Sequence, residues 1–329
     1  MTRALALVLL GACGSVATSK TQDAPPAPDS GDSCLVMSCD DNDPCTVDSC
    51  SAGTCQHTPA VVTGMQMFTA GSQTELVIPA CASMITIDAA GGAGGASTGE
   101  AFTGGLGAHV VTTIPVSRAN MAVMVMVGAA ASDVSSCAGG GGGSFVWDVT
   151  ATTMPLVAAG GGGGACFSGN GAPGSDTMSG TAGPGATAGF GTGGSGSVAP
   201  TPAVNWAAGG AGWLGNGAGA GGSQVTGGGC SPPVAIGGES PLDGGAGGNF
   251  GGTAGIDGPG GFGGGGGGQG RCGSVGGGGG GGFSGGAGGV EQPAETFNGG
   301  GGGGSFGAGT PTITAGAQAG NGAVTISWQ

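Results

Sequence analysis

Tyrosine is absent from this chain, only four residues are Lys or Arg, only two are His, and charged residues make up 7% of the whole. Each shortage excludes something. A nucleic-acid interface needs clustered Lys and Arg to neutralise phosphates. Arg3, Lys20, Arg118 and Arg271 are too few and too scattered for that. With a formal net charge of −14, the same scarcity excludes electrostatic docking on an anionic membrane. The acidity acts instead as solubility for a chain with few charges. The sole lysine, Lys20, closes no glycine-rich phosphate loop, and no HExxH pair is present, so neither a P-loop nor that zinc-protease motif can be built.

What the chain has in excess is glycine, 89 of 329 residues. No strict three-residue Gly-X-Y period runs through it, which excludes a collagen triple helix. Disordered chains are rich in charge and poor in apolar residues. Here 38% of residues are apolar and 11 cysteines are spread along the length, so an ordered fold is expected.

Residues 1–12 read as an export signal: Arg3, an apolar run from Ala4 to Leu10, then Gly11 and Ala12 before Cys13. The run is too short to span a bilayer. Leu10-Gly11-Ala12-Cys13 resembles a bacterial lipobox, which implies a lipid on Cys13 and cleavage before it. Gly14 and Ser15 follow, with no Asp at the second mature position, and within that family this implies sorting to the outer membrane. An ordinary signal peptide with a chance cysteine is the alternative. Residues 13–33, acidic and Pro-rich, read as an extended tether.

Residues 34–59 form a cysteine-rich module. Cys34, Cys39, Cys45, Cys50 and Cys55 fall within 22 residues, too few to bury a self-sufficient core, so disulfides are expected to hold it. Cys39-Asp-Asp-Asn-Asp-Pro-Cys45-Thr-Val-Asp-Ser-Cys50, then Cys55-Gln56-His57-Thr58-Pro59, resembles the short extracellular cysteine repeat of slime-mould matrix proteins, whose implied role is structural. Two sharper readings compete. Asp40, Asp41, Asn42 and Asp43 offer oxygens to calcium but lack the spacing and distal Glu of an EF-hand loop. The cysteines with His57 offer zinc ligands, but an exported protein favours disulfides. Five further cysteines, Cys81, Cys137, Cys166, Cys230 and Cys272, complete the disulfide candidates. Full pairing requires a bridge between the two groups or else a free or intermolecular thiol, and connectivity does not follow from sequence.

Residues 60–329 alternate between two textures. The first is strand-like: Ile85, Ile87 and Ala89 share one face, as do Val110, Thr112, Ile114 and Val116. Met121–Val127 is apolar on both faces, as a central strand should be. Phe145, Trp147 and Val149 alternate with Val146 and Asp148, and Val324, Ile326 and Trp328 alternate near the end. These predict a mainly β fold, a β-sandwich whose first and last strands lie together. The second texture is glycine, in runs at 91–95, 139–143, 160–164, 209–222 and 258–310. Floppy linkers are one reading, though they would need more Ser, Glu, Lys or Gln than is present. The other is polyglycine II: helices of three residues per turn whose N–H and C=O groups bond sideways to neighbours.

The ordered series Ser83-Met-Ile-Thr-Ile-Asp-Ala-Ala-Gly-Gly, Leu156-Val-Ala-Ala-Gly, Gly261-Phe-Gly-Gly, Gly282-Phe-Ser-Gly, Gly301-Gly-Gly-Gly-Ser-Phe and Asn321-Gly-Ala-Val-Thr-Ile-Ser-Trp resembles the glycine-rich domain of anaplastic lymphoma kinase and its bacterial secreted relatives. The resemblance implies a β-sandwich with inserted polyglycine II helices. It carries no ligand over.

Chemistry is scarce. His109 begins a strand as a surface position. Gly282-Phe-Ser284-Gly-Gly and Gly303-Gly-Ser305-Phe-Gly match a nucleophile elbow in form only, because no His follows either serine. Asp148, Asp176, Asp243 and Asp257 sit in separate segments without a partner signature. Trp206 and Trp213, set between glycine runs, are the candidate exposed contacts for a glycan or protein. The expectation is a non-enzymatic, lipid-anchored surface scaffold that needs no cofactor or metal, with a surface adhesin or glycan-binding module as the alternative.

Overall fold

The computed structural model describes residues 38–184, 186, 189–200, 205–222, 234–252, 254–270, 276–292 and 296–329. The export signal, the tether, Cys13 and Cys34 lie outside the described residues, as do Cys230 and Cys272. The chain divides into two units, Met1–Pro59 and Ala60–Gln329.

The first unit is built on a hairpin of β1 (Thr46–Ser51) and β2 (Thr54–Pro59). Its two-residue turn puts both Ala52 and Gly53 at positive φ, 50° and 76°, as a type I′ hairpin turn requires. That turn fixes the register, with Cys50 opposite Cys55 and Asp48 opposite His57. A disulfide joins Cys39 to Cys55, Cα to Cα 5.3 Å. Cys45 and Cys50 are also disulfide-bonded, so covalent links hold a module too small to be held by a core.

The second unit is a sandwich. Its strands are β3 (Gly64–Phe68), β4 (Ser72–Val77), β5 (Met84–Ala90), β6 (Gly107–Pro115), β7 (Ala122–Val127), β8 (Ser144–Asp148), β9 (Val157–Ala159), β10 (Glu291–Gln292), β11 (Thr296–Phe297), β12 (Phe306–Gly307), β13 (Thr312–Gln318) and β14 (Ala323–Trp328). One five-stranded sheet has the order β13-β6-β5-β14-β3 and the other β12-β9-β8-β7-β4, while β10 and β11 pair apart. β3 pairs antiparallel with β14, Gly64 opposite Trp328, so the beginning and end of the unit close on each other as the alternation predicts.

The period-two faces meet in the middle. Ile85, Ile87, Ala89, Val110 and Ile114 of the first sheet pack against Val123, Val125, Val127, Val146 and Val157 of the second. Met126, Phe145, Trp147 and Ala158 project from the opposite face of the second sheet and are buried there too. What buries them is the glycine-rich region, which lays Trp213 and Phe283 on that face. The two-sided apolarity of β7 thus has a partner on each side.

The glycine runs form a hydrogen-bonded lattice with a three-residue repeat. Along one run, Gly277, Gly280 and Phe283 donate to Asn298, Gly301 and Gly304 at 3.1, 2.8 and 2.7 Å. The intervening Gly278 and Gly281 donate to Ala138 and Gly141 at 2.9 and 3.0 Å. Gly279 and Gly282 donate to Ala208 and Ala211 at 3.0 and 3.1 Å. One run therefore bonds three neighbours in rotation, as a helix of three residues per turn must when it has no internal hydrogen bonds. Glycine is obligatory where runs touch. A Cβ on Gly161 would collide with the carbonyl of Gly141, and one on Gly280 with that of Gly161. Ordering a glycine costs about 0.5–1 kcal/mol more than ordering an alanine. A net hydrogen bond returns about 0.5–1.5 kcal/mol, so the runs hold because each bonds several neighbours at once.

A second disulfide staples this lattice. Cys137 precedes the run at 139–143, Cys166 follows the run at 160–164, and their Cα atoms lie 4.2 Å apart. All seven cysteines among the described residues, Cys81 included, are disulfide-bonded.

Candidate functional site

Among the described residues, three ionisable side chains gather where the acidic loop meets the first unit's hairpin. The register sets Asp48 opposite His57, and His57 Nδ1 sits 2.7 Å from Asp48 Oδ1. The acidic loop brings Asp41 Oδ2 to 3.3 Å from the same nitrogen. The Asp48 hydrogen bond is the first cause that raises the His57 pKa, and the charge of Asp41 adds to it. Reciprocally, the His57 hydrogen bond holds the Asp48 carboxyl below its ordinary range. Ligand-type atoms of Asp41, Asp48 and His57 all lie within 4.8 Å of one another.

The loop itself is a chain of Asx turns. Asp40 Oδ1 accepts from the Asn42 amide, Asp41 Oδ1 from the Asp43 amide and Asp43 Oδ1 from the Cys45 amide, each at 2.9 Å. Asn42 is left-handed, with φ 59°. Each of these carboxylates uses one oxygen in shaping the loop. The oxidised Cys39, Cys45, Cys50 and Cys55 offer no thiolate to zinc.

The two tryptophans expected at exposed loop tips do not share that setting. Trp213 is fully buried. Its ring lies 6.1 Å from that of Phe145 and 5.5 Å from that of Trp147, edge-on to the latter, and its indole donates to the Thr152 carbonyl at 3.1 Å. The physical reason is that glycine helices have no side chains with which to cover the second sheet, so the few aromatic residues among them fill the gap. Trp206 is half-buried, and its indole donates to the Gly219 carbonyl at 3.1 Å.

The elbow-like serines are lattice parts. Ser284 and Ser305 are fully buried, and their hydroxyls accept the amides of Gly194 and Gly160, each at 3.0 Å. Ser144 does the same for Gly128 at 3.0 Å while donating to the Ala90 carbonyl. Nothing in the local sequence distinguished these serines from spacer residues. Asp148 is clamped by the Arg118 guanidinium through both oxygens, one of them at 2.7 Å, which holds its carboxyl far below the ordinary range. Asp243 accepts the Ser240 hydroxyl at 3.0 Å, Asp176 is exposed, and Asp257 is buried. On the outward face of the first sheet, His109 Nε2 meets Asp88 Oδ1 at 2.7 Å.

An open hollow of about 200 Å³ lies at the edge of that same face, lined by Thr63, Met84, Thr86, Ser327, Trp328 and Gln329 along with Gly64. A Cβ on Gly64 would run into the six-membered ring of Trp328, its cross-strand neighbour, so glycine there lets the indole lie over the edge-strand backbone.

Residues 38–60 match a family described as the Dictyostelium (slime mold) repeat. The match takes in the acidic loop and the hairpin, in agreement with the resemblance read from the cysteine spacing. No curated protein matches the chain. The repeat and the oxidised cysteines are those of an exported protein. Among the described residues, no helix is long and apolar enough to cross a membrane.

Proposed function

We propose that this protein is a non-enzymatic bacterial cell-surface lipoprotein, anchored through a lipid on Cys13 and sorted to the outer membrane, whose glycine-rich unit serves as a structural or interaction scaffold. One observation carries the reading: the glycine runs bond laterally in three directions, which makes a stiff body out of residues otherwise suited to a linker. Residues that would serve catalysis are used elsewhere. Ser284 and Ser305 are buried in the lattice, and Asp148 is clamped by Arg118. The partner of such a surface would be an extracellular protein or glycan, and the adhesin reading stays beside the scaffold reading because an open hollow lies at the edge of the first sheet, lined by Thr63, Thr86, Ser327 and Gln329 among others.

The anchor is tested by expression in a bacterium that processes lipoproteins, with an alkyne-tagged fatty acid in the medium. The wild-type chain takes the label and partitions with membranes. Cys13→Ser is unlabelled and soluble. An unlabelled wild-type chain overturns the anchor. The scaffold is tested by digestion. Trypsin is uninformative, because Arg118 and Arg271 are the only Lys or Arg residues after residue 59. Elastase, which cuts after small residues, should leave Ala60–Gln329 as a resistant core if the lattice is stiff. Rapid cleavage throughout the glycine runs overturns the scaffold.

A further inference from the structure

We propose that β3 is a self-association edge, through which two copies of this chain pair antiparallel about a two-fold axis at Gln66 and join their first sheets into one. Such a contact goes beyond the scaffold reading and needs no lipid anchor, so the two can fail separately.

The phase of the backbone ladder sets which groups are open. Met84 and Gln329 exchange hydrogen bonds in both directions, at 3.0 and 3.1 Å. In an antiparallel pair, such bonded positions alternate along the strand. Ser327 and Thr325 therefore turn their backbone groups to β5, while Trp328, Ile326 and Val324 turn theirs to β3. Gly64, Gln66 and Phe68 lie opposite those three and take up their bonds. Met65 and Met67 direct N–H and C=O the other way, to the side where, among the described residues, β3 has no neighbouring strand. Both methionines are largely exposed, at 65% and 72%.

The other edges of the sandwich are guarded. β4 carries Glu75 near its middle. β13 is irregular between Thr314 and Gln318, and its Gly316 amide donates to the Gly174 carbonyl at 3.2 Å. β12 is two residues long. Charge, bulges, cover and shortness are the usual means by which an edge is kept from pairing. β3 has none of them: it runs in unbroken register along β14, and no charged residue or His occurs from residue 60 to residue 74.

Charge and symmetry select a second copy as the occupant. Two copies of a chain carrying −14 repel each other over most of their surface. A neutral strip is where they can meet, and a basic partner would gain nothing from it. Antiparallel pairing centred on Gln66 sets Met65 opposite Met67 of the second copy, and the reverse, so the outward N–H and C=O groups of both residues find partners. The methionines then lie side by side on the outward face, flexible apolar side chains of a kind enriched at interfaces. Gln66 meets its own copy at the axis, and a carboxamide, being donor and acceptor at once, can bond its equal. The pairing consumes both open edges, so assembly stops at two.

The test is sedimentation equilibrium of the oxidised full chain carrying Cys13→Ser, so that no lipid drives association. Samples run from about 10 µM to about 1 mM, a span suited to a small, transient contact. A monomer–dimer equilibrium with no larger species is expected. In the 15N-labelled chain, exchange of the Met65 and Met67 amides should slow severalfold from the dilute to the concentrated sample, and that of Gln66, already bonded to β14, should change less. Met65→Lys/Met67→Lys sets like charges opposite one another across the axis, and should leave a monomer with the melting curve of the dilute wild type. Met67→Pro deletes one outward N–H while sparing the bonds to β14, and should weaken the dimer. A chain that stays monomeric throughout overturns the proposal and leaves the edge to a strand of another protein. Association that survives the lysine variant also overturns it, as does association that leaves the Met65 and Met67 amides at their dilute rates.

Discussion

Cys137 and Cys166 bracket the innermost part of the lattice: their disulfide closes at the point where the Ala138 amide donates to the Ala165 carbonyl at 2.9 Å. Covalent bond and hydrogen bond together fix the start of one glycine run against the end of another. The sequence separation is 29 residues, for which loop-closure entropy predicts a stabilisation of about 3–4 kcal/mol. Cys137→Ala/Cys166→Ala should lower unfolding free energy by that order in denaturant titration. It should also speed amide exchange at Gly141 and Gly162 more than at Ile87. Equal acceleration everywhere would mean that the staple acts on the unit as a whole rather than on the lattice.

Glycine-to-alanine changes should divide by position. Gly161→Ala and Gly280→Ala each place a methyl on a neighbouring carbonyl, and overpacking of this kind should cost about 3 kcal/mol or more. At Gly219 a Cβ would meet only the Ala235 carbonyl, at an ordinary 3.5 Å. Gly219→Ala should therefore fall within about 0.5 kcal/mol of wild type. Thermal unfolding of the three variants measures the contrast, which a floppy linker would not show.

The hairpin module should be most stable in mild acid. The raised His57 pKa contributes stability that is fully present below its unfolded value of 6.5 and lost as pH rises through the folded value. The lowered Asp48 pKa contributes stability present above its unfolded 3.8 and lost as pH falls through the folded value. Both act in full between those two unfolded values. A proton NMR titration of the His57 ring should give a midpoint above 6.5, moving down in Asp48→Asn and less so in Asp41→Asn. An unchanged midpoint in Asp48→Asn would remove the hydrogen bond as its cause.

Trp213→Ala should behave as a core truncation and cost about 3–5 kcal/mol, since its ring is enclosed by Phe145, Trp147 and Phe283. Trp206→Ala, half-buried and bonded to one carbonyl, should cost less. Denaturant midpoints for the two variants check the order.

Much of the sandwich was legible because its signal is local. Ile85, Ile87 and Ala89, or Val324 and Ile326, declare a buried face within five residues, and the pairing of β3 with β14 follows from their places at the two ends. The lattice was legible as a possibility, since polyglycine has one dense way to satisfy its backbone. The fate of the aromatic residues was not. Trp213 looks like a loop residue because its neighbours are glycines, yet its partners Phe145 and Trp147 lie on a distant strand. Burial there is decided by a face of the second sheet that only three-dimensional packing creates. The Asp48–His57 contact was hidden in a similar way, because it depends on a two-residue turn with Ala52 at positive φ, a residue that seldom announces such a turn.

The glycine runs invert the usual relation between monotony and freedom. A reader scanning the chain sees filler that ought to absorb almost any change. Yet the smallest replacement at Gly161 or Gly280 puts an atom where another backbone already is. Where the runs touch, substitution is the one thing they cannot absorb. At those contacts the letters repeat because every alternative is spatially forbidden, and a count of residue variety would misjudge some of the most constrained positions of the protein as the least.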